Sequence, residues 1–211
     1  MRFQRCRELF GEDGFRRVKD IKVIILGVGG VGSYLLDCLY RSGVSDITIV
    51  DYDKFDETNR NRQIGSDRVG EFKVDIFKEL YPSIKTINRR VDIEWVDSFD
   101  FEPFNFVIDS LDTTAVKIEI AKRTYSKLIM SAGSANRVDS SKIEVASIWK
   151  THGNRLARKI RSELRKVGFN KNFKVVFSSE PDISSKGGSF VGVTGAFGLV
   201  ICSEVIKDIL S

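Results

Sequence analysis

Residues 22–63 constrain the fold more than any other part of the chain. A β-branched apolar run over 21–26 is followed at once by Gly27, Gly29, Gly30 and Gly32, and then by a helical pattern over about 33–41. A strand that enters a helix through such a turn leaves unpaired backbone N–H groups at the helix start. Together with the helix macrodipole they favour an anion there. Gly27 permits the tight turn, Gly29 lets the backbone approach a phosphate, and Gly32 lets helix and strand pack closely. A second apolar run, 47–50, ends in Asp51, a strand-end carboxylate placed for ribose hydroxyls. To this point the pattern specifies a bound nucleotide and nothing finer.

Strands and helices alternate through residue 129. A helix spans about 5–18, Tyr81-Pro82 ends another before a strand over 84–91, and further strands fall over 104–109 and over 127–131. Such alternation predicts a parallel sheet with helices on both faces. After Gly133 the pattern changes: strands over 143–149 and Lys174–Ser178 flank a basic helix, and 184–189 is a Ser/Gly-rich loop. The expected organisation is one domain over 1–211, with an N-terminal helical arm over 1–20 and a substrate-side elaboration over 134–189. With 42% hydrophobic and 30% charged residues, the chain is not disordered and can bury a sizeable core. No apolar leader opens it. The most apolar run, 190–202, is too short for a bilayer and is broken by Gly192, Gly195 and Gly198. It reads as a buried terminal helix packed closely on the sheet, with no membrane role. Cys6, Cys38 and Cys202 are scattered without a C-x-x-C pair, which argues against a zinc knuckle or a disulfide framework and suits a reducing cytoplasm.

Further residues narrow the class. Asn59, Arg62 and Gln63 follow Asp51, Lys73 lies just beyond Gly70, and Asp109 and Asp112 close another strand. Two cations, an amide and a carboxylate around a nucleotide suit a triphosphate and its metal, and a dinucleotide oxidoreductase has no need of them. Taken singly, Asp51 could cap a turn, Lys73 could lie on a solvated helix face and Asp109 could be structural. Their joint spacing argues otherwise. The glycine turn, Val50-Asp51-Tyr52-Asp53, Asn59-Arg60-Asn61-Arg62-Gln63, Val69-Gly70-Glu71-Phe72-Lys73 and Asp109-Ser110-Leu111-Asp112 resemble the ubiquitin-activating-enzyme-like (ThiF/MoeB) superfamily of adenylating enzymes. The resemblance implies a Rossmann-like α/β fold, mainly parallel, with a modified C-terminal half, and it implies ATP, Mg²⁺ and a homodimer. It places ATP over Gly27, Gly29, Gly30 and Gly32, Asp51 on the ribose, and Asn59, Arg62 and Lys73 on the phosphates. Gln63 orients the loop and Asp112 is the oxygen ligand of Mg²⁺. Arg5, or Arg7 beside it, matches an arginine that reaches the triphosphate of the partner subunit.

The C-terminal half bears on the substrate. From Lys150 to Lys174 nine Lys and Arg face only Glu163, a local charge of +8 in a chain whose net charge is +5. Leu156, Ile160, Leu164 and Val167 recur at helical spacing, so one face docks. Arg155, Arg158, Lys159, Arg161, Arg165 and Lys166 occupy the others. A solvated face is the plain alternative, but the concentration favours a polyanionic partner, RNA above all. Trp149 is expected to pack under this helix, and His152 to lie at the surface or against RNA rather than on a metal. Met130-Ser131-Ala132-Gly133, Ile143-Glu144-Val145, Leu156-Ala157, Val176-Phe177-Ser178-Ser179-Glu180-Pro181 and Gly195-Ala196-Phe197-Gly198 resemble one branch, the tRNA threonylcarbamoyladenosine dehydratases (the TcdA, or CsdL, group). That resemblance implies adenylation of the threonyl carboxylate of a modified adenosine in tRNA, then ring closure with release of AMP. Activation of a ubiquitin-like sulfur carrier, with a sulfur-transfer protein as partner, is the alternative. No cysteine lies between Cys38 and Cys202, and Val175 stands where some dehydratases carry one, so a thioester relay is unsupported. A nicotinamide oxidoreductase ranks third, because Arg62, Lys73 and Asp112 would go unexplained.

Overall fold

The computed structural model describes residues 2–184 and 187–211. In chain order its elements are α1 (Gln4–Asp20), β1 (Lys22–Leu26), α2 (Gly32–Ser42), β2 (Asp46–Asp51), α3 (Lys73–Leu80), β3 (Lys85–Asn88), α4 (Ile93–Ser98), β4 (Phe106–Asp109), α5 (Thr114–Thr124), β5 (Leu128–Ala132), β6 (Ile143–Ser147), α6 (Arg155–Lys166), β7 (Lys174–Ser178) and α7 (Val191–Leu210). The strands form one sheet in the order β3-β2-β1-β4-β5-β7-β6. Every neighbouring pair is parallel except β6 with β7. The α/β architecture is therefore the expected one, and the antiparallel edge lies in its modified C-terminal half.

Strand periodicity sorts the core into two layers. Val23 and Ile25 of β1 join Leu35 and Leu39 of α2, Phe77 of α3 and Phe197 and Ile201 of α7. Ile24 and Leu26 join Val96 of α4, Ile120 of α5 and Ile160 and Leu164 of α6. Covered on both faces, β1 needs a continuous apolar sequence rather than an alternating one. Its C-terminal end, beside β4, is where strand order reverses, the position at which sheets of this kind leave a crevice.

Several boundaries differ from the sequence reading. β3 stops at Asn88 rather than 91, because the chain turns there into α4, whose cap Asp92 accepts the Trp95 N–H at 2.8 Å. The strand expected over 143–149 ends at Ser147, whose hydroxyl accepts the Trp149 N–H and starts a short 3₁₀ turn. Gly195 and Gly198 pack α7 against α2 rather than on the sheet. A Cβ at Gly198 would lie 2.5 Å from the Val31 carbonyl, so only glycine allows the two helices to meet so closely. On α6 the buried face is Ala157, Ile160 and Leu164. Val167 does not dock; it follows the last helical turn and points into solvent. Part of the loop expected over 184–189, Ser185 and Lys186, lies outside the described residues. Among the described residues no helix is long and apolar enough to cross a membrane.

Candidate active site

A cleft of about 430 Å³ opens at the C-terminal ends of β1, β2 and β4. Gly27 has φ +88°, which a side chain would strain, and its N–H donates to the Val50 carbonyl at 2.9 Å. A Cβ on Gly32 would stand 2.0 Å from the Gly27 carbonyl oxygen, so α2 can begin this close to β1 only with glycine there. The Ser110 hydroxyl donates to the Leu26 and Gly27 carbonyls at 3.0 and 2.6 Å, tying the end of β4 to the turn.

Asp51 lies over this turn, almost fully buried. One carboxylate oxygen accepts the Val28 N–H at 2.8 Å and the other the Asp53 N–H at 2.9 Å. Each oxygen keeps a lone pair for a hydroxyl. Lys73 is the first residue of α3, at the positive end of the helix dipole, where a buried ammonium is costly without an anion. Its present partner is Asp53 at 3.1 Å. Arg62 lays its stem against Gly30 and donates to the Thr58 carbonyl at 2.6 Å. Asn59 lines the cleft, but its amide is engaged with Asp56 in a reciprocal cap. Gln63 lies against Gly29, and its side-chain oxygen is buried without a partner among the described residues. Asp112 projects from the turn after β4 into the cleft, and one of its oxygens accepts the Thr113 hydroxyl at 3.2 Å.

Not every candidate gathers here. Arg5 is 92% exposed and paired with Glu8, outside this cleft. Arg7 packs over the Phe15 ring and pairs with Glu12. Within one chain, neither reaches the nucleotide turn. On α6 the RNA-facing assignment of Arg161 needs correction. Its guanidinium turns inward to the Thr151 carbonyl at 2.8 Å, because that carbonyl lies under the helix start, where α6 docks. Burial, then the neighbouring Arg165 and Arg158, lowers its pKa from the ordinary arginine value. Arg155, Arg158, Lys159, Arg165 and Lys166 remain exposed. Arg165 lies over the Trp149 ring at 5.5 Å, with the Trp149 indole N–H bound to the Lys171 carbonyl. His152 is a surface residue 3.4 Å from Glu144.

Four features were missed in the sequence. Arg89 and Arg90 line the cleft, Arg90 lying 5.6 Å from the centre of the Tyr52 ring. Their signal was position: they follow a strand whose C-terminal end faces the crevice. Asp53 is the resting partner of Lys73. Asn154 caps α6 by accepting the Ala157 N–H and donates to the Ala132 and Ser178 carbonyls, joining the helix to β5 and β7. Lys117 is fully buried 3.1 Å from the fully buried Asp109, which makes Asp109 a structural residue. Cys38 and Cys202 meet between α2 and α7, where a hydrogen bond from Cys202 lowers the pKa of the Cys38 thiol. Both belong to packing rather than to the cleft.

The ThiF family model matches residues 3–211. The chain belongs to the ThiF family. Within it, the chain is 37% identical over 193 residues to the tRNA threonylcarbamoyladenosine dehydratase of Bacillus subtilis, covering 86% of this chain and 76% of that protein. Its fold is similar to that of the E. coli dehydratase TcdA in complex with ATP, with a TM-score of 0.92 and 29% identity over 99% of this chain and 93% of that one. Likeness to the adenylyltransferase and sulfurtransferase UBA4 of Saccharomyces cerevisiae, 33% identity, covers 50% of this chain and 26% of that protein. A ThiF-family chain with this cleft can hold a nucleotide triphosphate between a glycine turn, a ribose-facing carboxylate and convergent cations.

Proposed function

We propose that this ThiF-family protein is an ATP-dependent tRNA threonylcarbamoyladenosine dehydratase that acts in the cytoplasm. The observation carrying the reading is the extent of the likeness. Similarity to the dehydratases runs through the α6–β7 half, whereas similarity to UBA4 spans half the chain.

ATP lies with its triphosphate on the glycine turn and its ribose on Asp51. Lys73 exchanges Asp53 for phosphate, and Arg62 adds a second cation. Asp112, with oxygens still available, would hold Mg²⁺. When bound, the ion neutralises phosphate charge. A threonyl carboxylate oxygen attacks the α-phosphorus, the bond to the β-phosphate oxygen breaks, and pyrophosphate leaves. The ureido nitrogen then attacks the acyl carbon, the acyl–oxygen bond breaks, AMP leaves, and the nitrogen gives up its proton. The nucleoside has lost the elements of water. In phosphoryl transfer little covalent work falls to the protein, so positioning and electrostatics supply most of the rate. The working form is a homodimer in which Arg5 or Arg7 crosses to the partner's triphosphate. The exposed cations of α6 hold the tRNA backbone.

Incubation with ATP and tRNA carrying threonylcarbamoyladenosine, followed by nucleoside mass spectrometry, tests this directly. The expected product is the nucleoside less water, with AMP release that depends on that tRNA. AMP release driven instead by a small protein with a free C-terminal carboxylate, and none by tRNA, overturns the reading.

A further inference from the structure

The β2–β3 side of the cleft mouth carries charge that the nucleotide does not use. Lys54, Arg89 and Arg90 all line the cleft, and all three are exposed. Among the described residues none of them has a carboxylate partner. Asp53 and Glu71, close by in the chain, are engaged with Lys73 at 3.1 Å and with Arg68 at 2.5 Å. The same rim presents two open rings. Arg90 lies 5.6 Å from the centre of the Tyr52 ring and Lys54 Nζ lies 4.7 Å from that of Phe72, with Tyr52 47% and Phe72 36% exposed. The rim is held by backbone pairing rather than left loose. The Lys73 N–H donates to the Asp53 carbonyl at 3.0 Å and the Phe55 N–H to the Glu71 carbonyl at 2.9 Å.

The chemistry decides between ligands. The triphosphate of ATP has Arg62 and Lys73, its ribose has Asp51, and its neutral base needs apolar surface, which Val91 and Leu111 offer in the same cleft. Three further full charges suit a polyanion instead. A cation resting on an exposed ring gains little from it, so ring and cation are both available to a ligand. A single RNA strand offers a phosphate and a base at every nucleotide, and a cation beside a ring answers both: the cation takes the phosphate and the ring stacks the base. Position agrees with this. The reacting carboxylate has to enter the cleft, so the strand that carries it passes the mouth. β3 and β7 stand five strand spacings apart, about 24 Å. The glycine turn lies between them, with this rim on one side and α6, tied to β5 and β7 by Asn154, on the other. We infer that Lys54, Arg89 and Arg90, with the Tyr52 and Phe72 rings, form a second RNA contact that grips the unpaired nucleotides beside the modified adenosine. The inference rests on the dehydratase reading.

A Lys54→Gln/Arg89→Gln/Arg90→Gln enzyme and a Phe72→Leu enzyme, compared with wild type, test it. The triple variant should raise KM for the modified tRNA by roughly tenfold or more and flatten the log-log salt dependence of its binding by about two units, at about 0.7 per single-strand contact. ATP affinity, read by calorimetry, should change far less. Lys54→Arg/Arg89→Lys/Arg90→Lys, which keeps the charges, should keep the wild-type slope. Phe72→Leu retains bulk without a π-face and should raise KM by about fivefold or more. By fluorescence anisotropy, a short unmodified single-stranded RNA should bind wild type more tightly than the same sequence in a duplex, and the triple variant should lose that preference. A wild-type KM and salt slope in the triple variant would return the rim to solvent, and an ATP affinity that falls as far as the tRNA affinity would assign the cations to ATP. Either result overturns the inference, while turnover of modified tRNA by wild type keeps the dehydratase reading intact. Absence of that turnover would remove the reading and this inference with it.

Discussion

Lys117→Met deletes a buried charge while nearly keeping the side-chain volume. In the native protein the Lys117 ammonium lies 3.1 Å from Asp109 Oδ1 and 3.0 Å from the Ser131 carbonyl, with both side chains fully buried. After the change Asp109 keeps only the Leu111 N–H at 3.0 Å, and its other oxygen is already without a partner. Breaking a buried pair from one side costs about 3–5 kcal/mol. For a chain of 211 residues that is a fall in Tm of roughly 6–20 °C. The loss also acquires a pH dependence. Burial already pushes the Asp109 carboxyl up, with Lys117 opposing, and removing Lys117 raises it further. Above the unfolded value of about 3.9, and up to the raised native value, the native state then binds a proton that the unfolded state has released. Stability in that window falls as pH rises, by at most about 1.4 kcal/mol per pH unit. Urea denaturation should show a smaller deficit from wild type near about pH 5 than near about pH 8. Adding Asp109→Asn should recover part of the loss, because an amide is cheaper to bury than a lone carboxylate. A deficit under about 1 kcal/mol, or one equal at both pH values, would refute an ionised buried pair.

Other changes read the site and the surface. Lys73→Ala should lower ATP-dependent turnover by roughly a hundredfold or more, the usual cost of losing one donor that strengthens in the transition state; unchanged turnover in steady-state assays would reject its phosphate role. Replacing Arg158, Lys159 and Arg165 by Gln should weaken tRNA binding and flatten its log-log salt dependence by up to about one unit per lost phosphate contact, with ATP affinity preserved. A salt slope matching wild type would return α6 to an ordinary solvated face. Mixing an Arg5→Ala/Arg7→Ala chain with an Asp112→Ala chain should restore part of the activity, since a mixed dimer regains one complete site. No recovery after demonstrated subunit exchange would count against an arginine acting in trans.

The sequence by itself determined the elements whose causes are local. Glycine at 27 and 32, a β-branched run before them and Asp51 at the next strand end allow little besides a strand, a phosphate turn and a nucleotide. The 3.6-residue spacing of Ile160 and Leu164 likewise fixed α6. Side-chain partnerships were decided only when distant segments met. Lys117 could have been any helix lysine until β4 and β5 brought Asp109 and the Ser131 carbonyl to it. Arg161 and Arg158 are indistinguishable in a charge run, yet the docking of α6 over Thr151 turns one inward and leaves the other in solvent. Arg89 and Arg90 became cleft residues because β3 ends at Asn88 at the same edge as the glycine turn. Backbone conformation is set by each residue and its near neighbours, whereas the partner of a charge or a ring depends on which elements the packed sheet places side by side.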